Sequence, residues 1–351
     1  MTETSAPKKL VVVDLDTGVD DALALLFLAS RPDVELVALH STHGNTRADQ
    51  AANNTRYVME LIGREDVDIR MGLLEPLEQD LHVSAEVHGD DGLGNTGFRP
   101  SRPVTGPPDA VENLLRLSHE HAGELHLLAL GPTTNIGAAL RQDRTLFERL
   151  KSVTIVGGIG PALFNDPEPW RNRRTTGSRD PNVFHDVAST LEIAATEGPV
   201  TWCGPNITRQ IVLPEERFIR AATESGTSHS QFIAKISEYY SDFYTSVYGL
   251  TEGAEPPITA AKNTSVDVTG RTRIMGINDS LAAAVLVQPD VVLGSVQRPM
   301  RIFHDDHGQA CLAGVQTDPP ANGPKHRVIF DVDFVRITEM LFQMLRRPLP
   351  W

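Results

Sequence analysis

Short apolar runs rich in β-branched residues alternate with segments of helical periodicity through the first two-thirds of the chain. The apolar runs predict six strands, at residues 10–14, 35–40, 68–71, 125–130, 153–156 and 200–203. Amphipathic helical patterns lie between them, for example at 49–62 and 110–119. Near the end of the sequence, a further strand is predicted at 326–332 and a helix at 334–345. This alternation is typical of an α/β fold whose mostly parallel sheet is flanked by helices on both faces.

Three stretches depart from this alternation. Residues 82–108 are rich in Gly and Pro, and residues 157–182 combine prolines with an arginine-rich run at 171–179. Long irregular loops inside compact enzymes usually form lids or binding loops. The third stretch, 228–248, predicts a helix whose apolar residues favour packing in the core over an aromatic wall against a ligand. Those residues are Phe232, Ile236, Tyr240, Phe243 and Val247.

Composition narrows the class of protein. The 351 residues are 40% hydrophobic, and neither a Pro/Ser-rich linker nor an internal repeat divides them, which predicts a single domain over 8–348 after a flexible tail at 1–7. A formal net charge of −14 disfavours nucleic acid and anionic membranes as partners. Only Cys203 and Cys311 occur, so no disulfide framework is indicated. No secretion signal or membrane-spanning segment is evident, and we expect a cytoplasmic protein.

A crowded group of carboxylates follows the first predicted strand. Asp14 and Asp16 alternate with apolar residues at the strand end. Asp20 and Asp21 fall in the first turn of the next helix, and Gly18 is expected to provide the turn. In open α/β folds, ligands bind at the carboxyl ends of the strands. Carboxylates a few Å apart repel one another unless a cation or a proton compensates.

A purely structural explanation accounts for part of this group. The helix macrodipole favours acids in the first turn and would explain Asp20 or Asp21 alone. It does not explain Asp14 and Asp16, because carboxylates are rarely buried in a strand without a partner. Oxygen ligands suit a hard cation, Ca²⁺ or Mg²⁺, whereas zinc prefers His and Cys. The sequence therefore predicts a site for a hard divalent cation.

Four short motifs follow the acidic run in order along the chain. They are His43-Gly44-Asn45, Met71-Gly72 with Pro76-Leu77, His-Gly-Asp-Asp-Gly-Leu-Gly at 88–94, and Leu-Gly-Pro-Thr-Thr-Asn-Ile at 130–136. Together with residues 14–21, they resemble the inosine-uridine preferring nucleoside hydrolase family over nearly the whole chain. Thr17 stands where the family's Asp-x-Asp-Pro-Gly-x-Asp-Asp has proline. Each motif is weak alone, but five in the family's order are specific.

This resemblance implies a single Rossmann-like domain with a mixed, mostly parallel sheet, and Ca²⁺-dependent hydrolysis of the N-glycosidic bond of ribonucleosides to ribose and free base. The implied Ca²⁺ ligands are Asp16, Asp21, Asp279 and the backbone carbonyl of Thr134. Asp16 would also be the general base toward the attacking water. The implied substrate contacts are Asp20, Asn45, His88, Asp180, Asn182 and Asn278. The partner would be a small-molecule nucleoside, and the protein a homodimer or homotetramer.

Departures from the family pattern bear on the substrate. The family's late His-Asp-Pro-Leu-Ala appears as Asn-Asp-Ser-Leu-Ala at 278–282, so Asn278 replaces a histidine that protonates the departing base in many members. An amide cannot supply that proton, although it can hydrogen-bond the base. We therefore expect a purine-leaning or unusual base preference, with Trp170 or the tyrosines of 239–248 as stacking walls. Asp180 stands where the family usually has glutamate before the asparagine, so this side chain is shorter by one methylene.

Three local features have two interpretations each. His88 either lines the rim of the pocket or orders its loop through a hydrogen bond. The arginines of 171–179 either recognise an anionic or extended leaving group or face solvent. His304 and His307 have metal-like spacing, but Asp-Asp-His-Gly between two strand patterns favours a hairpin turn.

Two other functions compete with hydrolysis. A phosphatase of the haloacid-dehalogenase type also places Asp-x-Asp after its first strand, but residues 274–279 depart from its last motif and Asp20-Asp21 has no role in it. A nucleoside- or sugar-binding homologue with lost or altered hydrolase activity would explain Asn278. Binding alone would not require Asp16 as a base, which argues against that alternative.

Overall fold

The fold is described from a computed structural model, which describes residues 7–158, 180–208, 212–247, 273–304, 310–314 and 323–349. Most of the predicted tail, Trp170, the arginine-rich run and His307 lie outside these residues. The strands are β1 (Lys9–Leu15), β2 (Val34–Ser41), β3 (Asp68–Arg70), β4 (Leu125–Ala129), β5 (Ser152–Val156), β6 (Val200–Cys203), β7 (Val212–Pro214), β8 (Ile274–Gly276), β9 (Val292–His304), β10 (Ala310–Gly314) and β11 (Lys325–Val332).

Nine of these strands form one mixed sheet in the order β10-β9-β11-β6-β5-β4-β1-β2-β3. Within the run β11-β6-β5-β4-β1-β2-β3 of this order, each strand is parallel to the next. At the other edge, β9 pairs antiparallel with β11 on one side and with β10 on the other. β7 and β8 form a separate antiparallel pair. The predicted mostly parallel sheet is confirmed, and each predicted strand is present with ends shifted by at most one residue. His304 pairs with Ala310 in the β9–β10 ladder, so the hairpin interpretation of that region holds.

Helices connect the strands. They are α1 (Val19–Ala29), α2 (Ala48–Leu61), α3 (Ala85–His88), α4 (Ala110–Glu120), α5 (Thr134–Gln142), α6 (Leu146–Arg149), α7 (Pro181–His185), α8 (Val187–Ala194), α9 (Pro205–Thr208), α10 (Glu215–Ser225), α11 (Ser228–Val247), α12 (Asn278–Val287) and α13 (Phe334–Leu345). The helix predicted at 334–345 has those bounds, and α11 matches the prediction at 228–248. In the described part of the chain, no helix is both long and apolar enough to cross a membrane.

β1 lies inside the sheet, between β4 and β2. Its successive side chains enter cores on opposite faces: Val11 and Val13 pack in one apolar cluster and Val12 in the other. A strand buried on both faces has a nearly continuous apolar sequence, which is why the apolar run at 10–14 predicts this strand. Every residue of α1 is also buried. The acids that follow β1 are therefore held by a rigid, fully packed strand and helix.

The stretch 82–108, predicted to be a lid or binding loop, contains α3 and a turn ordered by Asp91. The Asp91 carboxylate accepts hydrogen bonds from the backbone N–H groups of Leu93, Asn95 and Gly97, each at 2.8 Å. Farther along, the carboxylate of Glu60 on α2 accepts from the backbone N–H of Ser101 at 2.7 Å. These bonds fix the loop against α2 in the conformation described.

Candidate active site

The β1–α1 corner places acids at the carboxyl edge of the sheet. Asp16 follows β1, and Asp20 and Asp21 lie in the first turn of α1. Gly18 has φ −99°, which any residue adopts, but a Cβ there would lie 2.4 Å from Nδ1 of His88. Gly18 lies in the predicted turn, as the N-cap of α1, and glycine is needed there for the close approach of His88 rather than for its backbone angles.

An acid from far along the chain joins this corner. One carboxylate oxygen from each of Asp20, Asp21 and Asp279 lies within 4.8 Å of the other two. The carboxyl groups of Asp16 and Asp279 both contact that of Asp21. Asp21 is fully buried, and its Oδ1 has no hydrogen-bond partner among the described residues. The structure thus brings together Asp20, Asp21 and Asp279, with Asp16 against Asp21, and this buried acidic cluster could hold a hard cation by its oxygens.

Electrostatics in the cluster favour a bound cation. Burial, and then the negative charge of Asp21, raises the pKa of Asp16 well above 3.8. Burial, and then the charge of Asp20, raises the pKa of Asp21 to about 6. The same two causes raise the pKa of Asp279 well above its ordinary value. Without a compensating charge these acids repel one another, and a divalent cation would remove that repulsion.

Two loops close around Asp16. Asn45 donates from its backbone N–H to Oδ2 of Asp16 at 2.7 Å and from its side-chain amide to Oδ2 of Asp21 at 2.8 Å. A Cβ at Gly44 would lie 2.2 Å from Asp16 Oδ2, and one at Gly131 would lie 2.6 Å from Asp16 Oδ1. Asn45, predicted to contact substrate, therefore also orients two acids. The glycines let backbone approach Asp16 from both sides.

Thr134, predicted to offer its backbone carbonyl to the metal, is the first residue of α5. Its hydroxyl donates to Oδ2 of Asp186 at 2.8 Å and lies 3.0 Å from Nε2 of His43. Among the described residues, no side-chain hydrogen bond joins Thr134 to the acid cluster. The role of its carbonyl stays a prediction.

His88 ends α3 and faces the start of α1. Its Nδ1 accepts a hydrogen bond from the backbone N–H of Val19 at 3.1 Å and lies 4.0 Å from Oδ1 of Asp20. Because Nδ1 accepts, the ring is neutral with its proton on Nε2, and burial lowers its pKa. Its ring centroid lies 5.1 Å from that of Tyr240. His88 therefore orders its loop, and it also lies beside Asp20, which is predicted to contact the substrate.

Asn278 begins α12, next to Asp279. Its Nδ2 lies 3.0 Å from Oδ2 of Asp20, 2.7 Å from the hydroxyl of Tyr244 and 3.3 Å from that of Tyr240. An amide nitrogen has two hydrogens, so these partners occupy both. Oδ1 of Asn278 is buried with no partner among the described residues. Only the side-chain oxygen of Asn278, a hydrogen-bond acceptor, is thus left to contact a ligand. The sequence alone did not distinguish the oxygen from the nitrogen of this amide.

The helix α11 is mainly core, as predicted. Phe232 and Ile236 are buried in the main apolar cluster. Tyr240 and Tyr244 are also buried, with ring centroids 4.6 Å apart, but their hydroxyls reach Asn278. The same helix therefore serves the core and one end of the site.

Asp180 and Asn182 lie at the start of α7, beside the ends of β4 and β5. Asp180 caps the helix and accepts from the backbone N–H of Gly158 at 2.6 Å. The Asn182 amide donates to the backbone carbonyls of Leu130, at 2.6 Å, and Val156, at 2.9 Å. Both amide hydrogens are used within the protein, so Asn182 retains only its side-chain oxygen for a sugar hydroxyl.

Asp14 does not join the metal-type cluster, which corrects the prediction of four clustered acids in residues 14–21. Its Oδ2 accepts from the side chain of Asn135 at 2.8 Å, and burial raises its pKa to about 8. Asn135 also donates to the carbonyl of Ser41 and accepts from the N–H of Leu73, both at 2.9 Å. Sequence reasoning missed this use of Asn135, although the Thr-Asn of the 130–136 motif was the available signal.

A parallel α/β sheet with buried acids at its carboxyl edge is typical of enzymes that hold a cation beside a small-molecule substrate. The family model for inosine-uridine preferring nucleoside hydrolases matches residues 11–339. The chain belongs to that family and is an N-ribohydrolase, which cleaves the N-glycosidic bond of ribonucleosides. The haloacid-dehalogenase alternative is thereby set aside.

Related proteins and structures agree with this assignment. A probable uridine nucleosidase 2 from Oryza sativa subsp. japonica is 31% identical over 243 residues, which cover 68% of this chain and 69% of that protein. The inosine-uridine preferring nucleoside hydrolase of Leishmania major is 28% identical over 248 residues, covering 69% and 73%. A plant nucleoside hydrolase structure matches with a TM-score of 0.79 at 24% identity, covering 97% and 100%. A purine-preferring ribonucleoside hydrolase from Gardnerella vaginalis matches with a TM-score of 0.79 at 23% identity, covering 96% and 98%. The structural matches show the shared fold.

Proposed function

We propose that this N-ribohydrolase is Ca²⁺-dependent and favours purine ribonucleosides or ribosides with an unusual, readily departing base. The observation that carries the proposal is the convergence of buried Asp20, Asp21 and Asp279, with Asp16 in contact with Asp21 and an Asp21 oxygen left without a partner among the described residues. Asp16, Asp21 and Asp279 would hold the ion, together with the predicted Thr134 carbonyl. Bound Ca²⁺ would supply the positive charge that polarises the attacking water and orients ribose hydroxyls.

Asp16 is the general base in this proposal. The backbone N–H of Asn45 holds its Oδ2, and the backbone of Gly131 lies against its Oδ1, so its carboxylate has little freedom. It takes a proton from water as the water oxygen attacks the anomeric carbon. The C–N bond breaks at the same time, and its electron pair leaves with the base. Compensation of the acid cluster by a cation keeps Asp16 ionised for this task.

Residues around the sugar stabilise the transition state. Glycosidic cleavage develops positive charge on the ribose ring, which nearby carboxylates favour. Asp20 lies between the acid cluster and Asn278, where it can accept from a ribose hydroxyl. Asp180 and the side-chain oxygen of Asn182 would fix the remaining hydroxyls from the α7 side of the sheet edge.

The base end of the site determines the expected substrate preference. Asn278 cannot protonate a departing base, and its amide hydrogens are already used by Asp20 and the two tyrosines. Burial, and then the charge of Asp20, raises the pKa of Tyr240 well above 10, so this hydroxyl is a weak acid. Bases that leave without full protonation are therefore favoured over uracil.

Uridine hydrolysis is the second candidate function. It is supported by the names of related sequences, among them uridine nucleosidase 1 of Arabidopsis thaliana, 28% identical over 244 residues. In that case the hydroxyls of Tyr240 and Tyr244 would have to assist the departing uracil by hydrogen bonding.

One assay separates these proposals. Free base release is followed by chromatography for inosine, guanosine, uridine, cytidine and a nitrophenyl riboside, in untreated protein, with excess chelator, and after Ca²⁺ or Mg²⁺ is restored. We expect turnover to disappear with chelator and to return with Ca²⁺, and purine ribosides to react faster than uridine. Turnover that persists without metal would refute the Ca²⁺ proposal, and uridine as the best substrate would refute the purine preference.

A further inference from the structure

Three buried polar side chains form a hydrogen-bonded chain beside the acid cluster. Nε2 of His43 lies 3.0 Å from the Thr134 hydroxyl, which lies 2.8 Å from Oδ2 of Asp186. All three residues are 0% exposed. Buried polar groups cost free energy unless they are hydrogen-bonded, and Nδ1 of His43 has no partner among the described residues, so its bond to Thr134 is the side-chain bond that holds the His43 ring.

The direction of each bond follows from the donors available. A hydroxyl has one hydrogen, and Thr134 gives it to the Asp186 carboxylate. Thr134 must therefore accept from His43, which carries its proton on Nε2. Asp186 is fixed in turn, because it accepts from the backbone N–H of Ser189 at 2.9 Å and of Leu77 at 3.0 Å. The chain thus runs from His43 to a carboxylate anchored at the start of α8.

His43 precedes the two residues that approach the acids. Gly44 lies against Asp16, and Asn45 donates to both Asp16 and Asp21. A second connection supports the same corner, because the backbone N–H of Ser84 donates to the Gly44 carbonyl at 2.8 Å. The position of Asn45 therefore depends on bonds made by its neighbours and not on its own side chain alone.

We propose that His43, held by Asp186 through the Thr134 hydroxyl, is a positioning residue for Asn45 and thereby sets the metal affinity of the acid cluster. This inference rests on the proposed metal-dependent function. Asn45 places two N–H groups on two of the acids, so a shift of the corner changes the orientation of both carboxylates. Removal of a residue that hydrogen-bonds to a metal ligand and orients it typically weakens metal affinity about 10–100-fold.

Thr134→Val tests the chain, because valine keeps the shape and the backbone carbonyl but removes the hydroxyl. Thr133→Val is the matched control: Thr133 is 2% exposed, and its hydroxyl bonds to the hydroxyl of Ser189 at 3.0 Å rather than to His43, Thr134 or Asp186, while Asp186 is held by the backbone N–H of Ser189, which this change leaves in place. Calcium Kd is measured by titration calorimetry on chelator-stripped protein, with the Tm of each metal-free variant. We expect Kd to weaken about 10-fold or more in Thr134→Val, to stay near wild type in Thr133→Val, and to be restored in Thr134→Ser.

His43→Phe addresses the other end and leaves the Thr134–Asp186 bond in place. It should weaken Ca²⁺ binding as Thr134→Val does. The double variant should bind Ca²⁺ no more weakly than either single variant, because each substitution alone already breaks the path from His43 to Asp186. If Thr134→Val and His43→Phe bind Ca²⁺ as tightly as Thr133→Val while their metal-free Tm falls, the chain is only structural and the inference is refuted. If wild-type protein binds no Ca²⁺, the proposed function fails first, and the inference with it.

Discussion

The two ends of the candidate site differ in charge. The sugar end of the proposed site holds the buried carboxylates of Asp16, Asp21 and Asp279, and burial is the largest cause that raises the pKa of each. The base end holds Asn278 with Tyr240 and Tyr244, which are neutral and bonded among themselves. Asp20 lies at the junction, in contact with both groups.

In the proposed mechanism, this difference concentrates catalysis at the sugar end. Charges in a buried site interact far more strongly than in water, so the sugar end can stabilise positive charge on ribose effectively. The base end offers hydrogen bonds but no acid with a pKa near neutrality among the described residues. Catalysis in this enzyme is therefore expected to rely on activating water and ribose, with little help to the departing base.

The largest expected effect comes from removing the base at the sugar end. Asp16→Asn should keep the fold and nucleoside binding but lower kcat by at least ~10²-fold, because a positioned general base contributes on that order. The amide also removes one buried repulsive charge, so metal-free Tm should not fall. Steady-state kinetics and thermal denaturation check both parts, and near-normal kcat would remove Asp16 from this role.

Loss of the metal should come next. Asp21→Ala is expected to lose stoichiometric Ca²⁺ after dialysis, as measured by elemental analysis. Calcium at about 100 times its Kd stabilises a protein by ~2.7 kcal/mol, so wild type should show a clear rise in Tm on Ca²⁺ addition and Asp21→Ala should show none. Stoichiometric Ca²⁺ in the variant would contradict the ligand assignment.

The base end provides the complementary change. Asn278→His introduces a group that can protonate a departing base, and a general acid contributes ~10²–10⁴ in rate. Uridine hydrolysis should rise, while hydrolysis of a nitrophenyl riboside, which needs no proton, should stay nearly constant. If wild type already hydrolyses uridine as fast as the activated riboside, another residue supplies the proton.

The smallest expected effect concerns the pH dependence of stability. Burial lowers the pKa of His40, and likewise of His43, from 6.5 to about 4. Between these values the unfolded chain binds protons at the two histidines that the folded protein refuses, so they lower stability as pH drops from about 6.5 toward 4, and Asp14, whose folded pKa is about 8, offsets part of that fall with or without metal.

Asp21 opposes this trend in metal-free protein, because its raised pKa of about 6 lets the folded state take up a proton over pH 6 to 4. Denaturation at pH 7, 6 and 5 should therefore show a steeper loss of stability with Ca²⁺ than without it. Equal slopes would mean that the metal does not hold Asp21 ionised. In His40→Gln, the slope with Ca²⁺ should become shallower.

The hydrophobic pattern of neighbouring residues predicted much of the secondary structure and the position of the acids. The apolar run of β1 and the acids after it are contiguous, so their placement on a strand end and a first helical turn followed from periodicity. Motif order also identified Asp279 as a partner, although it lies 258 residues from Asp21 in sequence. Local pattern was less informative for glycine and amides: Gly18 serves a contact with His88, and the Asn182 and Asn278 amides are used within the protein.

The sequence by itself determined the α/β class, the positions of the six parallel strands from β1 to β6 and of β11, several of the helices, and the acids that could hold a cation. The tertiary structure decided the arrangement of the acids: it brought Asp279 against Asp20 and Asp21, as the resemblance implied, and it withdrew Asp14 to Asn135, which no motif indicated. It also decided that the amide nitrogen of Asn278 bonds within the protein while its oxygen has no partner among the described residues. The physical reason is that hydrophobic periodicity reports which face of an element is buried, whereas hydrogen-bond partners are chosen by which elements pack together after the chain has folded.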